Sequence, residues 1–95
     1  MQINIEKIIK SLSLHLSEDA LLKVIDESYM HHGHTGHNPE IGVTHVAIHL
    51  VWNEFAGLKA IERQRLMNSW LSELLNGGLH AVSYTLRTPK EAKLS

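Results

Sequence analysis

The chain has 95 residues, 43% of them hydrophobic and 20% charged, with a formal net charge of −1. This composition supports one globular domain, spanning residues 1–95, with a single thin core; it excludes a disordered chain and a strongly basic nucleic-acid binder. The chain has no cysteine, which excludes disulfides, cysteine nucleophiles, Cys-ligated structural zinc and a self-sufficient four-cysteine iron–sulfur site. Any metal must therefore use His, Asp or Glu, or share its ligands with a partner.

The opening MQINIEKIIK has no basic region followed by a long apolar run, and it carries Glu6 with no Arg. It reads as neither a secretory signal nor a transit peptide. No apolar run approaches the ~20 residues that span a membrane. The expectation is a cytoplasmic protein with no membrane attachment.

Ile5, Ile8, Ile9 and Leu12 recur at helical spacing, so residues 3–14 read as a short amphipathic helix. Ser13 to Asp19 is a polar connection. Leu21 to Glu27 is a strand, with Leu22 and Val24 on one face and Leu21, Lys23 and Ile25 on the other. Tyr29 to Val43, YMHHGHTGHNPEIGV, follows. Its glycines and Pro39 make it a loop, and loops of about 12–15 residues in small domains are usually functional or disordered. It carries His31, His32, His34 and His37.

Thr44 to Trp52 is β-branched and apolar and reads as a strand. Val46, Ile48, Leu50 and Trp52 share one face; His45, Ala47, His49 and Val51 share the other. Two successive strands joined by a loop pair antiparallel most simply. After a turn at Asn53 to Gly57, residues 58–76 read as the longest helix. Met67, Trp70, Leu71, Leu74 and Leu75 form its apolar stripe, which Leu58 and Ile61 extend, and Gly77-Gly78 ends it. Leu79 to Arg87 is a third strand, parallel to the second through a right-handed crossover. Thr88 and Pro89 predict a last short helix, as N-cap and first helical residue. The fold class is α+β, in the order α-β-β-α-β-α, with a three-stranded mixed sheet and helices on one side.

The four loop histidines match no strong zinc signature, and H-H-x-H-x-x-H is compatible with a polar loop that tolerates imidazole or with adventitious metal. A zinc-binding protein acting alone is one open reading. His80 differs, because it follows a helix stop and begins a strand, where rigid elements hold it. It reads either as a half-buried histidine satisfied by a carbonyl or, with a loop histidine, as part of a two-imidazole site. His45 and His49 lie about 13 Å apart along one strand, too far to share an ion. Gly33-His34-Thr35-Gly36 spells G-x-x-G, but between strands and not between the helices of a KH module. Arg63 and Arg65, with Lys59, form a basic patch that reads as a solvated helix face or as a contact for an acidic partner. No nucleophile–base pair is visible, so an enzyme is the least expected outcome.

Taken together, the chain resembles the BolA family. The matching stretches are Val24-Ile25-Asp26-Glu27-Ser28 before a His-containing loop, Thr44-His45, Phe55-x-Gly57, Arg63-x-Arg65, and Leu79-His80-Ala81-Val82 with Thr88-Pro89 beyond. It departs from the family pattern at Gln64, Val46 and Trp52, where His, Phe and Ser are usual. The resemblance implies a KH-like (class II) topology and a non-enzymatic partner of monothiol glutaredoxins. It implies a 2Fe–2S cluster bound only in the complex, with thiols from the glutaredoxin and glutathione. On this side the implied metal ligands are His80 and a loop histidine, with His31 the best match and His34 the runner-up. Arg63 and Arg65 are the implied partner-binding residues. The implied role is iron–sulfur trafficking or iron regulation, with the free chain a monomer or weak homodimer. The alternative attached to the family is a DNA-binding transcriptional regulator of morphology or stress response.

Overall fold

The computed structural model describes residues 3–28 and 42–93. Helix α1 (Ile5–Ser13) is followed by strands β1 (Leu21–Asp26) and β2 (His45–Val51) and a 3-10 turn (Asn53–Phe55). Helices α2 (Ala60–Trp70) and α3 (Ser72–Asn76) then lead to strand β3 (Ala81–Arg87). The sheet order is β1-β2-β3. β1 is antiparallel to β2 and β3 is parallel to it, giving the mixed three-stranded sheet that the hydrophobic pattern predicts. Among the described residues no helix is long and apolar enough to cross a membrane.

Helix α1 starts where Asn4 adopts an extended conformation and its Oδ1 accepts the Lys7 N–H at 2.9 Å, a side-chain cap for an otherwise orphaned donor. Ile3 lies outside the helix. It is 1% exposed, and its carbonyl accepts the Val43 N–H at 2.8 Å. On β2, Val46, Ile48 and Leu50 are buried as the alternation requires, and Ile8, Leu12, Phe55, Met67, Leu71 and Leu79 join them in the core. Leu22 and Val24 of β1, and Val82, Tyr84 and Leu86 of β3, pack half-buried against it. On the opposite sheet face His49, Ser83 and Arg87 are exposed, while Ala47 is buried and His45, Thr85 and Ile25 are half-buried.

The long helix differs from its prediction in two ways. It breaks at Leu71 (φ −101°, ψ 5°) into α2 and α3, although Leu71 N–H still bonds Met67 O at 3.0 Å. Its buried stripe begins at Arg63 and not at Ile61, which is 49% exposed. Arg63 Nε donates to Leu58 O at 3.0 Å, and Nη1 donates to Leu86 O at 3.1 Å. Nη1 and Nη2 also reach Glu91 Oε1 and Oε2 at 2.6 and 3.3 Å, and the guanidinium carbon lies 5.4 Å from the centre of the Phe55 ring. A buried cation is tolerated when its donors are met in this way.

Trp52 is buried, and its Nε1–H donates to Ser17 Oγ at 3.2 Å. Its ring meets Phe55 and Trp70 edge-on at 5.4 and 5.6 Å, and His15 stacks on Trp70 at 4.6 Å. Asp19 accepts hydrogen bonds from Ser17 and Asn53, which hold its carboxyl below the usual range.

The helix predicted after Thr88 is a single turn within the described residues. Ala92 N–H bonds Thr88 O at 3.0 Å, but Lys93 already lies at φ 61° and leaves the helical region. Glu91 folds back, accepting the Thr88 N–H at 2.7 Å and pairing with Arg63. Hydrogen bonding from Arg63, and then from the Thr88 N–H, pulls the Glu91 carboxyl from its ordinary 4.5 down to about 2. A depressed carboxylate contributes stability that is fully present above pH 4.5 and is lost as pH falls towards 2. Glu91→Gln is expected to lower the denaturation midpoint at neutral pH, with the gap to the unsubstituted chain closing between pH 4.5 and 2. A gap independent of pH in an acid titration of both proteins would refute this linkage.

Candidate functional site

The three strand ends that share one edge of the sheet are tied together by backbone and hydroxyl groups. β1 ends at Asp26, whose Oδ1 accepts the Ser28 N–H at 2.9 Å. Ser28 is 5% exposed. Its Oγ accepts the N–H groups of Thr44 and His45 at 2.9 and 3.2 Å and donates to His45 O at 3.4 Å. Thr44 O in turn accepts the N–H groups of His80 and Ala81 at 2.9 and 3.2 Å. The points where the chain leaves β1 and re-enters at β2 are thus bonded to each other, and His80 is bonded to the second of them.

His80 is aimed by the helix stop before it. Gly78 at φ 127° takes a conformation that side chains disfavour, and the N–H groups of Gly77 and Leu79 both return to Leu74 O at 3.1 Å. This closure buries Leu79 to 2% exposure, so the next residue faces solvent. His80 is exposed, and among the described residues its ring has no hydrogen-bond partner. The reading of His80 as a half-buried histidine is therefore corrected: it is exposed, and among the described residues only its backbone is tied down. The imidazole is a presented donor on a fixed backbone.

His45 is half-buried, with Nδ1 2.8 Å from Thr44 Oγ1. His49 lies on the open sheet face. Among the described residues no three His, Asp or Glu side chains gather closely enough to hold a metal ion. His31, His34 and the Gly33–Gly36 stretch lie outside the described residues. Of the two arginines expected to meet a partner, Arg63 is turned inward with four hydrogen bonds to this chain. Arg65 is exposed and has no partner among the described residues.

Ser28 is the residue that sequence reasoning undervalued, since it entered only as the end of a family-matching stretch. Its signal was position: a serine two residues after an aspartate suits a turn that closes on its own side chain.

The family model of BolA-like protein matches residues 12–91. The chain belongs to the BolA-like family. A BolA-like protein of Dictyostelium discoideum is 37% identical over 90 residues, covering 94% of this chain and 75% of that one. The DNA-binding transcriptional regulator BolA of Vibrio cholerae is 36% identical over 70 residues, covering 74% of this chain and 61% of that one. The solved structure of BolA1 from Arabidopsis thaliana matches this fold with a TM-score of 0.79 at 31% identity, covering 96% of this chain and 97% of that one. Within this BolA-like chain, the Phe55-x-Gly57 motif has structural work. Phe55 is fully buried, and Gly57 turns the chain at φ 83°.

Ser28→Ala is expected to destabilise the protein by about 1–3 kcal/mol in urea denaturation, because it takes the buried acceptor of the Thr44 N–H away. The His80 amide resonance should shift with it, through Thr44. A stability change below ~0.5 kcal/mol would show that water replaces the hydroxyl.

Proposed function

We propose that this BolA-like chain is a non-enzymatic partner of a monothiol glutaredoxin in the cytoplasm, sharing a 2Fe–2S cluster with it as cargo in iron–sulfur trafficking or iron regulation. The observation that carries this reading is His80: an exposed imidazole with no ring partner among the described residues, on a backbone bonded to Thr44. It stands at the sheet end where the segment bearing His31, His32, His34 and His37 leaves and returns. The donor chemistry fits a cluster completed from outside. His80 supplies one nitrogen, a loop histidine (His31 first, His34 second) supplies another, and the glutaredoxin and glutathione supply the thiolates that a cysteine-free chain lacks. Imidazole in place of thiolate raises a cluster's reduction potential. The chain's own part is to hold His80 still while the partner docks, with Arg65 as the exposed cation of the partner surface.

Mixing the protein with cluster-loaded glutaredoxin tests this reading. The mixture is expected to show a new visible absorption and circular dichroism spectrum, changed by His80→Ala and more by His31→Ala than by His34→Ala. A heterocomplex spectrum indifferent to His80→Ala sinks the ligand assignment.

The name of the Vibrio relative favours a second reading, DNA binding. The net charge of −1 opposes it. A gel shift with promoter DNA that weakens with salt would support it, and no shift at low salt would end it.

A further inference from the structure

Among the described residues β3 is an edge strand, and its outer side carries peptide groups with no strand to pair with. Ala81 N–H reaches Thr44 O, and Arg87 O accepts the Trp52 N–H at 2.9 Å. Residues 81, 83, 85 and 87 therefore direct their peptide groups at β2, and Val82, Tyr84 and Leu86 direct theirs outward. Arg63 takes the Leu86 carbonyl. The Leu86 N–H and both backbone groups of Val82 and Tyr84 have no backbone partner among the described residues.

Helix α2 runs beside this edge. The two enclose a groove of about 370 Å³, lined by Ala60, Arg63 and Gln64 from the helix and Tyr84 to Arg87 from the strand. A groove between an edge strand and a helix is the geometry in which an extended peptide joins a sheet as an added strand. Its charge selects the peptide. Among the described residues no Asp or Glu lines the groove. Arg87 is exposed, and its guanidinium has no partner among the described residues. The carboxylate of Glu91 is already paired with Arg63. The Tyr84 hydroxyl donates to Asn68 Oδ1 at 2.6 Å, and burial pushes the phenol up to about 12, so the groove gains no negative charge from it near neutrality.

We propose that the groove between β3 and α2 binds an extended acidic peptide segment of a partner protein, which adds as a fourth strand along Val82 to Leu86 and sets a carboxylate on Arg87. The Arg63–Leu86 bond stops the added strand, because the last outward carbonyl is taken. The site lies apart from His80: seven residues of strand place Arg87 about 23 Å away. It does not depend on the cluster reading.

The test titrates the full ¹⁵N-labelled chain with a synthetic hexapeptide of alternating valine and glutamate. Amide exchange is expected to slow at Val82, Tyr84 and Leu86, and to change little at Ser83 and Thr85, which already bond β2. Arg87→Glu should weaken binding on the order of tenfold. N-methylation of the peptide backbone should abolish binding, and His80→Ala should leave it intact. Equal affinity for the valine–lysine counterpart, or binding without slowed exchange at the three amides, would overturn the proposal. So would slowed exchange of these amides at high protein concentration without peptide, which assigns the edge to self-pairing. Displacement of the peptide by oligo-dT from the same amides would assign the groove to nucleic acid and overturn it as well.

Discussion

The peptide groups on either side of Thr44 hold the His80 end of the sheet together. The Thr44 N–H is received by the buried Ser28 hydroxyl, and the Thr44 carbonyl receives His80 and Ala81. Each bond is worth only about 1 kcal/mol net, but an amide left without a partner costs more than that. What gives the junction its authority is β2. Val46, Ile48 and Leu50 are buried on one face of the central strand, so a slip of one residue would turn all three to the open side. The hydrophobic pattern of β2 fixes its register, the register fixes Thr44, and Thr44 fixes where His80 leads into β3.

A second constraint operates at the other end of β3. Arg63 occupies a core-facing position of α2, where an apolar residue would continue the stripe. Its charge is accommodated by two carbonyls, the Glu91 carboxylate and the face of Phe55. The same side chain therefore joins the turn after Phe55, the start of α2, the end of β3 and the turn beyond it. Arg65, two residues on, faces solvent and carries none of this. The pair Arg63-x-Arg65 thus divides into one cation that builds the domain and one presented to its surroundings.

These particulars show what the sequence made legible. β2 was plain because nine residues without a breaker alternate cleanly, and the strand–helix–strand order left the parallel crossover as the simple solution. The break at Leu71 was hidden, since the apolar spacing continues through it and only the backbone dihedral changes. Arg63 was hidden for a different reason: a charged residue is read as solvated unless its partners are known, and Leu86 and Glu91 lie far along the chain. Thr88 and Pro89 are sound start signals, yet Glu91 bends back to Arg63 and the helix ends after one turn. At the candidate site, the sequence could rank His80 above its neighbours by its place after a helix stop. It could not show that Leu79 takes the buried position and leaves the imidazole outside. The choice among His31, His32, His34 and His37 rests on resemblance, because spacing in a glycine-rich loop does not fix direction.

The parallel pairing of β2 and β3 also has a consequence in time. β1 and β2 close on each other as neighbours in sequence, whereas β3 can join only after α2 and α3 have crossed over the sheet, and such non-local pairings form slowly. During synthesis the chain emerges from its N-terminus. Ser28 and Thr44 are therefore available to each other well before His80 exists as a residue. The anchor for the imidazole is prepared first and the imidazole delivered last, so a nascent chain that has not yet formed β3 carries His31, His32, His34 and His37 before His80 is held in place.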